Sequence, residues 1–408
     1  MTDLPAQPRR AAMAFIMITV TLDILALGVV IPVLPRLVAD FLGGDELRAA
    51  EVFGLFGTAW ALMQFVFSPL LGALSDRFGR RPVILLSNLG LGLDYVLMAL
   101  APTLGWLFVG RLVSGVTSAS ITTAFAYIAD VTPAEKRAAG FGMVGAAFGL
   151  GFVLGPSLGG VLGDIDPRLP FWVAGGLSLA NFLYGLLVLP ESLPPEKRGP
   201  FLWRRANPLG SLTLLRSHRT LLGLAGVAFL YSLAHEVLPS VFVLYGAHRF
   251  AWDMTTVGLT LAGVGVFSAI VQGGLVRPAV ARLGERRTLL TGLAFGAAGM
   301  AVYGLAPSPL VFWVGVPVMS LWGLGGPANQ ALMSHRVAAH EQGQLQGAMT
   351  AIRSLTGLVG PFLFTQTFAA FAGDVGGWQL PGAPFLLSGL LLVAALALAA
   401  GVTRRPAA

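Results

Sequence analysis

The chain has 408 residues, of which 55% are hydrophobic and only 11% charged, with a mean hydropathy of +0.78. Roughly a quarter of the residues of a soluble domain are charged, so this composition excludes a string of soluble domains and indicates a polytopic membrane protein. The net charge of +7 sits in short turns between apolar runs, which fits orientation in a bilayer rather than nucleic-acid binding, and the absence of cysteine excludes disulfides, thiol catalysis and cysteine metal sites.

Twelve apolar segments follow in order, near 14–37, 52–75, 82–101, 104–128, 138–163, 169–189, 220–246, 256–281, 288–306, 310–333, 344–371 and 382–402. Each reaches the roughly 20 helical residues that cross about 30 Å of hydrocarbon. Helix is the expected form, because lipid satisfies no backbone group and barrel-type alternation is missing. The run from Phe15 lacks a small-residue cleavage site and reads as a retained first span. With the N-terminus inside, 20 of the 26 Lys and Arg residues fall on inner segments, so both termini are expected in the cytoplasm of a multi-pass plasma-membrane protein.

Spans 2 and 3 are separated by "GALSDRFGRRPVIL", from Gly72 to Leu85, which packs Asp76, Arg77, Arg80 and Arg81 around Gly79. Inside the spans lie charges that survive only beside a polar cavity or a partner: Asp23 in span 1, about 14 Å deep at 1.5 Å per residue, Asp94 in span 3 at similar depth, Arg111 in span 4, His235 and Glu236 in span 7, and Arg353 in span 11. The three acids and His235 can take up and release protons. Arg111 keeps its charge and is expected to tune Asp23. Arg353 is expected to pair with Glu236, to attract an anionic substrate group, or to snorkel toward the cytoplasm. Gln64, Asn181 and Gln330 are polar residues in apolar runs, read as lining a substrate cavity or as interhelical contacts. In span 5, "GLGFVLGPSLGG" repeats Gly151, Gly155 and Gly159 every four residues, with Pro156 and Gly160 beside them. The smooth face predicts a tight contact between spans 5 and 8, and Pro156 a kink.

The Pro-rich, basic stretch 190–208 predicts a cytoplasmic linker, taken as 190–219, between an N-terminal half, 1–189, and a C-terminal half, 220–408. Three matches share an offset of 205 residues: Arg77 with Arg282, Gly142 with Gly347, and Gly155-Pro156 with Gly360-Pro361. They indicate duplication of a six-span unit. No nucleotide loop, zinc-protease motif or triad context is present, so neither an enzyme, an ATP-driven pump nor a bound metal or cofactor is expected.

Gly72-x-Leu74-x-Asp76-Arg77-x-Gly79-Arg80-Arg81 resembles the loop 2–3 signature of the major facilitator superfamily, "GRLVSG" (110–115) its span 4 arginine motif, and "GLGFVLGPSLGG" its span 5 antiporter motif. Further stretches, among them "LDILALGVVIPVLP" (22–35), "AYIADVT" (126–132) and "QGQLQG" (342–347), resemble the tetracycline/proton antiporters. The resemblance implies a twelve-helix, all-α fold of two pseudo-symmetric halves working by alternating access. It also implies antibiotic efflux driven by the proton gradient, in a bacterial-type inner membrane, with drug, protons and lipid as partners. Asp23 and Asp94 become the first-choice coupling acids, with Arg111 and Glu236 beside them. The same resemblance implies a cytoplasmic gate in which Asp76 meets the start of span 11 and Arg80 pairs with Asp130. A monomer is the expected functional unit. The rival reading is a symporter or facilitator of a small metabolite such as a sugar. The sequence departs from the branch by lacking an acid in span 9 and by carrying Glu236 and Arg353.

Overall fold

A computed structural model of the chain describes residues 6–118, 121–133, 137–199, 214–215, 219–338, 341–373 and 379–404. The polar linker expected at 190–219 therefore lies largely outside the described residues. The described residues form helices and no strand. In chain order these are α1 (Ala6–Val30), α2 (Leu34–Phe41), α3 (Glu46–Phe78), α4 (Arg80–Leu100), α5 (Leu104–Ser118), α6 (Ile121–Val131), α7 (Arg137–Ile165), α8 (Leu169–Val188), α9 (Arg219–His235), α10 (Val237–Phe250), α11 (Met254–Ile270), α12 (Val276–Leu305), α13 (Pro309–Ser320), α14 (Gly325–Ser334), α15 (Gln342–Ala372) and α16 (Ala383–Val402).

Joined end to end, these give 11 segments long and apolar enough to cross a membrane. One of them, Met254–Leu305, has 52 residues. At 1.5 Å per residue that is about 78 Å, far beyond roughly 30 Å of hydrocarbon. It divides at Gly284, whose φ of 74° and ψ of 162° break the helix, so the described residues hold twelve segments of spanning length, in keeping with the twelve expected. Gly79, 205 residues earlier, has φ 105° and ψ 159°. Both glycines occupy a backbone region open essentially to glycine alone, so the two turns share a conformation as well as the offset of 205 residues. Large apolar side chains such as Leu187, 82% exposed, face outward as a hydrocarbon-facing surface requires.

The helices cluster into two compact units: residues 1–37, 59–207 and 253–262, and residues 38–58, 208–252 and 263–408. In the first unit, α1 and α7 approach backbone to backbone. A Cβ on Gly155 would lie 2.6 Å from the Cα of Gly28, and one on Gly151 or Gly159 would strike Ile24 or the carbonyl oxygen of Val29. The four-residue glycine stripe therefore faces span 1, not span 8 as the repeat suggested. Span 8 meets the neighbouring face of α7 instead: Gly160 and Gly163 lie against Met254, and Gly258 against the carbonyl of Pro156. Two stripes one residue apart on a helix point about 100° apart, which lets one glycine-rich helix seat two partners.

The outer end of that contact is closed by carboxylates. Asp164 accepts from the backbone N–H of Met254 at 3.0 Å and of Thr255 at 2.8 Å, and Asp253 accepts from Thr256 N–H at 2.7 Å. Three of the four free N–H groups of the α11 N-terminus are satisfied in this way. Hydrogen bonds from Thr256 hold the Asp253 carboxyl below the usual carboxylate range. In the second unit the outer end of α3 lies on α15 and α10. Gly57 packs on Pro361, Thr58 Oγ1 donates to the Leu358 carbonyl at 3.3 Å, and Glu46 meets His248 Nδ1 at 2.8 Å. An aromatic cluster of Tyr245, Tyr303, Phe312 and Phe385 fixes the outer ends of α10, α12, α13 and α16, with Tyr303 and Phe312 stacked at 4.0 Å.

Gly159→Leu is expected to lower stability by about 1–3 kcal/mol, the usual range for overpacking a filled contact. Gly149→Leu, where nothing lies within 4 Å of an added Cβ, should unfold with the wild type in a thermal melt of the detergent-solubilised protein.

Candidate functional site

Asp23 projects from α1 into a pair of buried amides. Asn181 of α8 donates through Nδ2 to Asp23 Oδ1 at 2.8 Å and to the Thr19 carbonyl at 2.9 Å. Asn88 of α4, its amide turned as its neighbours require, donates to Asp23 Oδ1 and Oδ2 at 3.3 and 3.2 Å and accepts from Asn181 Nδ2 at 3.2 Å. Both asparagines are 0% exposed. Asn181, expected as a cavity residue, thus holds the Asp23 carboxyl rather than lining open space.

Asp94 is treated differently. It is 2% exposed, and neither of its carboxyl oxygens has a hydrogen-bond partner. The close approach of α5 at Gly110, where a Cβ would lie 3.0 Å from Asp94 Oδ1, leaves no room for one from that side. Arg111 of α5 acts on Asp94 and Tyr95 through its charge. Its guanidinium lies 5.1 Å from the centre of the Trp60 ring, and its Nε has no hydrogen-bond partner. Arg111, expected to tune Asp23, is therefore placed to act on Asp94, because amides already occupy the lone pairs of Asp23. Gln64, one turn after Trp60 on α3, is half-buried.

In the second unit Glu236 sits between α9 and α10 and packs on α15: a Cβ on Gly360 would lie 2.5 Å from its Cγ. The glycine of the second Gly-Pro pair is thus required by an acid. Arg353 is exposed, acts through its charge on Tyr231 and His235, and forms no ion pair with Glu236. The ring of His235 lies 5.4 Å from that of Trp322, and that of Tyr231 4.9 Å. Gln330 donates to Gln346 Oε1 of α15 at 3.1 Å. Among the described residues, no cluster of three or more His, Asp or Glu side chains that could hold a metal ion occurs.

The charge cluster between spans 2 and 3 is a connected network. Arg80, 9% exposed, pairs with Asp76 one turn earlier, donates to Asp130 Oδ2 at 3.2 Å and to Ser75 Oγ at 2.7 Å, and Ser75 donates to the Gly72 carbonyl at 2.7 Å. Arg81 reaches the Leu186 carbonyl at 2.6 Å, while Arg77 is exposed and lies over the Phe78 ring. Glu191 completes the network by accepting from the backbone N–H groups of Arg80 at 2.9 Å and Arg81 at 3.3 Å. Its carboxylate thereby sits at the N-terminus of α4, where the helix dipole favours an anion. A Cβ on Gly79 would collide with that carboxylate.

Three polar residues in these arrangements escaped the sequence reading: Asn88, Asp164 and Glu191. Asn88 carried the same signal as Gln64 and Asn181, a polar residue within an apolar run. Asp164 and Glu191 stand at span ends, where acids are unremarkable, and no periodicity ties them to the helix starts they cap.

The family model of the Major Facilitator Superfamily matches residues 16–361. The class C tetracycline resistance protein of Escherichia coli is 41% identical over 381 residues, covering 92% of this chain and 95% of that protein. The class G tetracycline resistance protein of Vibrio anguillarum is 40% identical over 372 residues, covering 90% and 93%. Among solved structures, the nucleoside transporter NupG superposes with a TM-score of 0.77 at 12% identity, covering 97% of this chain and 100% of that one, a likeness of fold alone.

Glu191→Ala leaves two N–H groups at the start of α4 without their acceptor. It is expected to cost about 1–2 kcal/mol, read as a lower midpoint in thermal denaturation, with Glu191→Gln losing less because an amide oxygen can still accept.

Proposed function

The chain belongs to the major facilitator superfamily, a multi-pass transporter rather than an enzyme, and on that premise we propose that it exports amphipathic drugs of the tetracycline type, or several related drugs, in exchange for protons. It does so by alternating access, as a monomer in a bacterial-type inner membrane with both termini in the cytoplasm. The two six-span halves, 1–189 and 220–408, are joined by the linker 190–219. No cofactor takes part; the proton gradient is the energy source. One proton moving down a pH difference of one unit releases about 1.4 kcal/mol, enough for a tenfold drug gradient.

The observation that carries this reading is the pair of intramembrane carboxylates in the first unit, at Asp23 and Asp94. Keeping a charge at this depth costs several kcal/mol unless it is paired. Asp94 has no hydrogen-bond donor among the described residues, so protonation removes a charge that no hydrogen bond stabilises. Asp23 keeps its amide partners Asn88 and Asn181 in either state, since an amide also offers an acceptor to a protonated carboxyl. Proton release and uptake at the two acids therefore differ in what they demand of the surroundings. Glu236 supplies a third titratable group, on the Gly360 face of α15. Gln64, His235, Gln330 and Arg353 are the side chains proposed to contact the drug. The tetracycline resistance named for the 41% and 40% identical relatives supports the substrate class.

The Gly72–Arg81 turn with Asp130 is proposed as the cytoplasmic gate, and the span 5 residues Gly151, Gly155, Pro156, Gly159 and Gly160 as the packed joint on which the helices rock. Asp76 acts as its switchable member, since it is half exposed while its partner Arg80 is buried.

In inside-out proteoliposomes with an imposed pH gradient, adding tetracycline or another exported drug should release protons. Asp23→Asn and Asp94→Asn should each reduce that release by tenfold or more. If no drug perturbs the gradient and Asp23→Asn matches the wild type, antiport is refuted. Asp76→Asn should lower the turnover rate while leaving equilibrium drug binding unchanged; equal turnover in the variant would remove Asp76 from the gate.

A further inference from the structure

The second unit contains a midplane cation with no acid of its own. Arg353 lies nine residues into the apolar segment Gln344–Ala372, about 14 Å from its inner end at 1.5 Å per residue. Among the described residues no carboxylate comes within ion-pair distance of its guanidinium. It is exposed, and Gln346, seven residues earlier on the same helix face, is exposed as well. An open face that carries an arginine at this depth, with a glutamine two turns nearer the end of the span, borders water and not hydrocarbon.

The groups that the Arg353 charge reaches are aromatic, and their own neighbours stand on irregular helix. Tyr231 and His235 lie within reach of its charge, and both rings gather on Trp322. Trp322 stands on a 3-10 turn, Leu321–Leu324, in the middle of span 10. Beside it, Gly323 is approached at 3.6 Å by Gln272 Cγ, which stands on the π-helical turn Val271–Leu275 of span 8. Counting from the cytoplasmic ends of their spans, Tyr231, Gln272, Trp322 and Arg353 all fall about 14–18 Å deep. Breaks in helical regularity inside a span collect at functional sites, and here two of them meet at one level, beside one unpaired arginine.

We propose that Arg353, His235, Tyr231, Trp322 and Gln272 form a subsite for a planar substrate group that bears an acidic oxygen, a carboxylate or an enolate. The guanidinium fork matches a deprotonated oxygen pair and also stacks on flat rings. His235, exposed over Trp322, offers the aromatic surface, and Gln272 offers donor and acceptor to the rim of the bound group. A cationic group would meet the Arg353 charge with no local acid to offset it, because Glu236 is turned onto Gly360. The preferred substrates are thus amphipathic acids or zwitterions whose anionic end is seated in the second unit. This deepens the export reading and rests on it for its biological sense, while the binding step can be measured on its own.

The test uses the full-length protein in detergent, without a gradient, and reads equilibrium binding by quenching of intrinsic fluorescence. The probes are matched pairs: nalidixic acid and its methyl ester, and 1-pyrenecarboxylic acid and its methyl ester. The wild type should bind the acid at least tenfold more tightly than the ester in one or both pairs. Arg353→Gln should collapse that ratio to about one, and Arg353→Lys should retain part of it while showing the same thermal midpoint as Arg353→Gln. Equal affinity for acid and ester, equal weakening of both in Arg353→Gln, or binding of neither member of either pair would overturn the proposal. Transport separates the two claims. A protein that prefers the acid but exchanges no drug for protons keeps the subsite and loses antiport. A protein that exchanges a lipophilic cation for protons without preferring the acid keeps antiport and loses the subsite.

Discussion

At Gly28 and Gly155 the backbones of α1 and α7 lie against each other with no side chain between them. Much of the first unit depends on that contact. It draws α1 close enough to the bundle for Asp23 to reach Asn181 and Asn88, and it leaves the next face of α7 free for Met254, Thr255 and Gly258 of span 8. In lipid there is no hydrophobic drive between helices, so close packing of small residues carries the association. A side chain at Gly155 or Gly159 would strike α1, and one at Gly160 would strike Met254 of span 8.

The polar groups inside the hydrocarbon show three arrangements. Asp23 is enclosed by amides that suit either protonation state. Asp94 is enclosed without a hydrogen-bond partner, under the charge of an arginine that itself rests on the Trp60 ring. Arg353 is open and unpaired among the described residues. The first two are suited to moving protons, because their surroundings respond differently to the same change of charge. The third is suited to receiving a charge from outside the chain.

The turn between spans 2 and 3 combines an address for the membrane with a local structural task. Its arginines follow the positive-inside bias, but Arg80 is almost fully buried and is held by Asp76, Asp130 and Ser75. Glu191, just past span 6, caps the helix that starts at Arg80. The end of one span therefore helps to fix the start of another three spans earlier, and Gly79 must be glycine both for its backbone angles and for the room it leaves to Glu191.

The amino-acid sequence alone determined the class of fold and the spans, because both follow from hydropathy over a helix length, and it carried an arginine bias and a constant offset of 205 that point to an orientation and a duplication. It also singled out Asp23, Asp94, Arg111, Glu236 and Arg353, since an ionisable residue in an apolar run is conspicuous without any structure. Which of these groups meet was not legible. The Gly151-Gly155-Gly159 repeat announced a close contact and was assigned to span 8; the stripe itself lies on span 1, and span 8 is met by Gly160 and Gly163 on the next face. Arg111 was assigned to Asp23 and lies by Asp94; Arg353 was offered to Glu236 and lies by His235 and Tyr231. Asn88, Asp164 and Glu191 acquired their tasks only from residues 65 to 111 positions away. Spacing along one helix reveals which residues share a face, but the rotation of that face about the helix axis and the neighbour it meets are set by packing of the whole bundle, and only the tertiary structure decides them.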